Sequence, residues 1–229
     1  MFRRLAALAL AATLSTLSTS AAHARGFAQP PAGAPMPVAI HDLPAPAPRI
    51  APAMRARLRH VLAARRAKNI AAFRAYAKRG VYPHNIVRDG ALNVWIDEEG
   101  HMCAAATMIF RSGAKALVRQ VARDDNYIRL ANVTDGPVLD WILTSGLTQT
   151  EVATIQEPFM RVPEPAPAPI EPVIAQPPPG PSPRQLEDQR LAARYREVLG
   201  LLASWRDDSL DAAIDRLATR PDLIATLVR

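Results

Sequence analysis

Two proline-rich tracts limit what this 229-residue chain can fold into. The first covers residues 29–52 and the second covers residues 163–183. Proline lacks a backbone N–H donor and has a fixed φ, so neither tract can form a helix or a central strand. We expect both to be extended polyproline-II spacers. The predicted order is a signal peptide (1–24), a Pro/Ala-rich tether (25–52), a central helical module (53–160), a Pro-rich linker (161–183) and a C-terminal helical module (184–229).

The first 24 residues have the three parts of an export signal. Arg3 and Arg4 precede an apolar run over residues 5–17, and Ala22-His23-Ala24 has the small residues of a cleavage site. The run is too short to span a bilayer, and no later run is longer, so no transmembrane segment is predicted. We expect cleavage, which would lower the formal charge from +7 to +5. The expected location is periplasmic or extracellular.

The stretch 135–152 carries the clearest local signals, which predict two short helices joined by a tight turn. Pro137 suits a first helical turn, and Gly146 suits the left-handed position after a helix. Thr148 followed three residues later by Glu151 is the pattern of a capping box. These residues specify structure and carry no chemistry.

A single β-hairpin is predicted in the central module. Leu92, Val94 and Ile96 alternate with Asn93, Trp95 and Asp97, which is the period of a half-buried strand. Glu98-Glu99-Gly100 suits a turn, and residues 101–110 return. The return is ambiguous, because 104–106 favours helix and 107–110 favours strand. The acidic residues Asp97, Glu98 and Glu99 lack the spacing of a calcium loop, so we interpret them as turn residues.

The C-terminal segment has the cleanest helical periodicity. Its apolar residues are spaced four, three, four and three, which is typical of a seam that packs against another helix: Leu191, Tyr195, Val198, Leu202 and Trp205. A segment of 46 residues buries little apolar surface alone, so we expect it to dock on the central module, dimerise or bind a protein partner. The fold class is therefore mainly α (α+β): a small helical module with one β-hairpin and a separate C-terminal piece of two or three helices.

Residues 49–79 contain ten Lys or Arg and no Asp or Glu. On a helix predicted over 54–78, this charge favours binding of phosphate-rich envelope polymer, lipid headgroups or nucleic acid. The alternative is a solvated helix that is balanced by acids elsewhere, and residues 80–160 supply ten acids against six bases. The candidate anion-binding residues are Arg55, Arg57, Arg59, Arg65, Arg66 and Lys68.

Cys103 is the only cysteine, so no intramolecular disulfide can form. If residues 101–103 are extended, His101 and Cys103 share a face and are candidate metal ligands or a thiolate–imidazolium pair. If they are helical, the two side chains point apart. Only the tertiary fold could bring His84 and Asp140 to such a site. The alternative is a buried, unreactive thiol packed among alanines.

These features favour a non-catalytic protein without a cofactor. We predict an exported, envelope-associated binding or scaffolding protein. Its basic helix would bind an anionic envelope polymer, its C-terminal helices would bind a protein partner, and nucleic acid is the least favoured ligand. The alternative function is a thiol- or metal-dependent protein centred on Cys103 with His101.

Overall fold

A computed structural model describes residues 50–163 and 180–229, which belong to one compact unit. The predicted signal peptide, nearly all of the tether and most of the linker lie outside these residues. Within the described ranges, no helix is both long and apolar enough to cross a membrane. The elements in chain order are α1 (Pro52–Arg79), β1 (Ala91–Leu92), α2 (Ala104–Arg111), α3 (Lys115–Asp124), a 3-10 turn (Leu130–Asn132), α4 (Gly136–Thr144), α5 (Gln149–Ile155), β2 (Phe159–Met160), α6 (Pro183–Ser204), α7 (Arg206–Leu217) and α8 (Pro221–Leu227).

Helix α1 is the longest of the described helices, and α2, α6, α7 and α8 all pack on it. It has 28 residues, so it is about 42 Å long, and it ends at Gly80 with a φ of +67°. Leu58 and Leu62 in its first half pack with α4, α7 and α8. Phe73 and Tyr76 in its second half pack with α2, α5 and α6. One helix therefore joins two apolar cores.

The predicted helical pair is confirmed as α4 and α5. Gly146 has a φ of +79°, and the capping box of Thr148 and Glu151 is complete. A Cβ at Gly146 would lie 2.1 Å from the carbonyl oxygen of Leu62. Glycine is thus required twice, for its backbone conformation and for the close approach of α1.

A mainly helical fold with one small antiparallel strand pair is confirmed, but the strands are not those of the predicted hairpin. Strand β1 pairs with β2, from the end of the central module. The predicted turn is present, with one bridge between Ile96 and Met102, and the chain then enters α2. Residues 104–111 are helical and not extended, because the alanines at 104–106 have high helix propensity and Cys103 caps the helix.

The C-terminal helices are not a separate piece. Helices α6, α7 and α8 all contact α1, so docking on the central module is the outcome that the structure shows. Tyr195 of α6 packs edge-on against Phe73 of α1, with ring centroids 5.5 Å apart. The apolar seam predicted from the sequence explains this docking, because it is the face of α6 that is buried. Its buried members are Leu191, Tyr195, Val198 and Leu202.

Candidate metal-binding site

Two loops of the central module meet at the carboxylate of Asp97. One loop leaves α1 at Gly80, is anchored by the buried Tyr82, and leads to His84. The other is the turn from Asp97 to His101. The Asp97 carboxylate accepts hydrogen bonds from the backbone N–H of His84 at 3.1 Å and of His101 at 2.7 Å. One side chain therefore holds both loops and brings the two histidine rings together, with centroids 6.0 Å apart.

Four side chains bring their donor atoms together at this point. His84, Asp97, Glu99 and His101 each offer one ligand atom, and all four atoms lie within 4.8 Å of one another. His101 Nδ1 lies 3.2 Å from Asp97 Oδ2 and 3.3 Å from Glu99 Oε2. His84 Nδ1 lies 3.9 Å from Glu99 Oε1. Ligand atoms around a tetrahedral zinc ion are about 3.4 Å apart, because each bond is about 2.1 Å long. The spacing therefore needs only small side-chain rotations to match.

Burial is graded across the four side chains. Asp97 is 5% exposed, His84 27%, His101 31% and Glu99 62%. All except His101 line a cavity of about 570 Å³. A partly exposed cluster at a cavity gives an ion a path from solvent, which a usable metal site needs. The apolar part of the cavity wall includes Ile86, Val87, Val94, Ile96 and Val162.

The donor set determines which metals suit the cluster. Two imidazoles and two carboxylates suit zinc and its first-row neighbours. Calcium and magnesium prefer sites made entirely of oxygen. Asp97 already accepts two backbone hydrogen bonds, but a carboxylate has about four acceptor positions, so about two remain and one of them can take an ion.

The chain matches no protein-family model, no curated protein and no solved structure. Its function is therefore inferred from the site itself.

Cys103 does not join this cluster. The segment before α2 is extended, as the predicted pairing with His101 requires, but Cys103 is 1% exposed. Its Sγ accepts a hydrogen bond from the backbone N–H of Ala106 at 3.4 Å and so caps α2. Burial raises the pKa of the thiol to about 12. The structure thus places Cys103 in the core as a protonated thiol.

Of the predicted anion-binding residues, the three nearest the start of α1 contact the C-terminal helices. Arg55 donates to Asp211 and Asp215, and Arg59 donates to Asp207 and Asp211, over 2.6–3.2 Å. Hydrogen bonds from Arg59 and Arg55 lower the pKa of Asp211. Arg57 donates to the carbonyl of Val228. These arginines help to hold α7 and α8 on α1.

Arg66 is part of the core. It is 2% exposed and makes a bidentate ion pair with Glu151 of α5, at 2.8 and 2.6 Å. It also donates to the carbonyl of Leu202 in α6 at 2.7 Å. Arg66 is thus one half of a buried ion pair. Two of the six predicted residues, Arg65 and Lys68, line a cleft of about 480 Å³ that is described below.

The sequence pointed to His101, and to His84 only as a residue that the tertiary fold could bring to it. Asp97 and Glu99 were interpreted as turn residues. Asp97 does hold the turn, but both residues also bring a carboxylate to the cluster. The alternation Asp97-x-Glu99-x-His101 is the signal that was available. His84 reaches the site through its backbone bond to Asp97, which no local pattern encodes. Asp140, the other candidate partner, instead pairs with Arg220 at 2.8 Å.

Proposed function

We propose that this protein is an exported binding protein for a divalent transition-metal ion, with Zn²⁺ the favoured ion. The ligands are His84, Asp97, Glu99 and His101. The observation that carries the proposal is the convergence of their four donor atoms within 4.8 Å. Hydrogen bonds from two loops to Asp97 pre-organise this arrangement, so little ordering is needed when the ion binds.

The sequence-based alternative was a thiol- or metal-dependent protein centred on Cys103. We keep metal binding from it, but we propose the site in the loop that precedes Cys103. A thiol-dependent reaction needs an accessible thiolate. Cys103 is buried and its pKa is raised to about 12, which argues against that chemistry. Four protein ligands fill a tetrahedral shell, and such closed sites hold a metal rather than activate a water. We therefore favour metal capture over catalysis.

Export is the second part of the proposal. It is supported by Arg3 and Arg4, the apolar run over 5–17 and the cleavage pattern at Ala22-His23-Ala24. Outside the cytoplasm, a site built from histidine and carboxylate has an advantage over one built from thiolates. Cysteine ligands would be open to oxidation there, whereas these groups are not.

Calorimetric titration of the purified protein with ZnCl₂ tests the proposal. We expect one ion per chain and no competition from millimolar Mg²⁺ or Ca²⁺. Loss of a residue that merely supports a metal ligand costs about 10–100-fold in affinity, so loss of a ligand is expected to cost more. His84→Ala and His101→Ala should each weaken binding at least about 100-fold.

His60→Ala is the matched control, because His60 is exposed on α1 and lies outside the cluster. It should bind zinc as the wild type does. Cobalt gives a second measurement, since a tetrahedral site produces intense visible absorption. The proposal is wrong if all three histidine variants bind zinc equally, or if the wild type shows no saturable binding.

A further inference from the structure

A second cleft lies between α1, the end of α2 and the end of α4. It has a volume of about 480 Å³ and shares no lining residue with the cavity at the histidine cluster. Its charged lining residues are Arg65, Lys68 and Arg111. No acidic side chain lines it. Its neutral lining residues are Asn69, Ala72, Ser112, Ala114, Trp141, Thr144 and Ser145.

The cations of this cleft differ from the other arginines in the first part of α1. Arg65 donates one hydrogen bond, to the carbonyl of Thr144 at 3.1 Å, and has no acidic partner among the described residues. Lys68 and Arg111 likewise make no ion pair within 50–163 and 180–229. Arg55, Arg59 and Arg66, in contrast, are all paired with acids. Positive charge is therefore not balanced by an acid within this cleft. Arg57, Arg74, Lys78 and Arg79 of α1 also make no ion pair among the described residues, but they do not line the cleft.

Helix ends near the cleft do not cancel this charge. Helices α2 and α4 both end there, at Arg111 and Thr144. Each helix C-terminus carries about half a negative charge, so the two ends offset about one of the three positive charges. A net charge of about +2 remains in the cleft.

The walls are held in place by hydrogen bonds. Trp141 Nε1 donates to Ser112 Oγ at 2.9 Å, and Ser112 in turn donates to the carbonyl of Ile109 at 2.7 Å. Asn69 Nδ2 donates to the carbonyl of Ser145 at 2.9 Å. The cleft therefore has a fixed shape and an aromatic wall beside three cations.

We propose that this cleft binds a small organic anion that carries phosphate or carboxylate groups. The three cations neutralise the anionic groups, and the indole of Trp141 packs against the rest of the ligand. A volume of about 480 Å³ is within the range of small-molecule sites, which favours a compact ligand over a long polymer. The predicted anion-binding surface of α1 is thereby reduced to Arg65 and Lys68, and Arg111 is added.

Glucose 6-phosphate and citrate are suitable probes for the two anionic chemistries. Each is titrated into metal-free protein by calorimetry, with tryptophan fluorescence as a second signal. We expect saturable binding that weakens with added salt, because salt screens the attraction. The double variant Lys68→Ala/Arg111→Ala should weaken binding at least tenfold.

The matched control is Arg74→Ala/Lys78→Ala. It removes the same two charges from exposed positions of α1 that do not line the cleft. This control should bind within about twofold of the wild type, since distant exposed charges are screened. An equal loss in both double variants would show a diffuse surface charge and overturn the proposal. Absence of saturable binding by either probe would also overturn it, whatever the zinc titration shows.

Discussion

Two clusters of charged side chains in this protein have similar chemistry and opposite surroundings. At the junction of α1 and α5, Arg66 and Glu151 are 2% and 1% exposed. Both oxygens of Glu151 are used, since they also accept hydrogen bonds from the hydroxyl of Ser209 and the backbone N–H of Thr148. In the candidate metal-binding cluster, Glu99 is 62% exposed, and the only contacts of its carboxylate within the described ranges are the two histidines.

The difference separates a structural role from a binding role. A buried charge is tolerated only when it is paired, and at 2% and 1% exposure the Arg66–Glu151 pair is closed to a ligand, although Arg66 Nε has no partner among the described residues. A partly exposed group keeps its hydration and its spare acceptor positions, which an incoming ion can use. We therefore interpret an ionisable residue of this chain by its burial and by the partners that the fold gives it. The number of charged residues near it in the sequence does not decide its role.

The largest effect is expected from breaking the buried pair. Arg66→Met leaves Glu151 uncompensated in the core, so the free energy of unfolding should fall by about 3–5 kcal/mol in urea denaturation at pH 7. Arg59→Met is the control. Its pairs with Asp207 and Asp211 are exposed, so it should cost less than about 1 kcal/mol.

A second variant separates charge from packing at this junction. Arg66→Met/Glu151→Gln removes both charges and keeps an acceptor for the capping box. It should recover a large part of the loss seen in Arg66→Met, because no unpaired charge remains. Equal losses in Arg66→Met and Arg59→Met would show that the buried pair does not differ from a surface pair.

An intermediate effect is expected at the exposed cluster, and only when metal is present. An ion that binds the folded chain at 100 times its dissociation constant stabilises the chain by about 2.7 kcal/mol. Zinc at that level should therefore raise the free energy of unfolding of the wild type and of His60→Ala, but not of His84→Ala. If zinc stabilises His84→Ala equally, the ion binds elsewhere.

The sequence encodes the local parts of this structure better than the long-range ones. The capping box at Thr148 and the left-handed Gly146 were predictable, because each depends on residues within one helical turn. The pairing of β1 with β2 and the contact of Arg66 with Glu151 were not, since each joins segments more than 60 residues apart. The candidate site is divided in the same way. Its Asp97–His101 part is local, whereas His84 is placed by packing of the loop after α1.

The smallest effect is expected at Cys103. This residue is only two positions from His101, but it is buried in the core like the Arg66–Glu151 pair. In Cys103→Ser, the hydroxyl can still cap α2 by accepting from Ala106, so stability at pH 7 should change by no more than about 1 kcal/mol. The native thiol should resist iodoacetamide at pH 8 and react fully after denaturation. Rapid labelling of the native protein would return Cys103 to the candidate ligands.

Alkaline pH gives a second measurement on the same residue. Burial raises the pKa of the folded thiol from 9.0 to about 12, so its contribution to stability is complete below about pH 9 and is lost as the pH rises towards 12. At pH 10 the wild type should have lost about 1 kcal/mol more than Cys103→Ser, which has no thiol to ionise on unfolding. Burial also raises the pKa of Tyr76 and Tyr195, so both proteins lose stability at alkaline pH and the difference between them is the quantity to measure. Identical losses would mean that the Cys103 thiol ionises as easily in the folded chain as in the unfolded one, which a buried thiol cannot do.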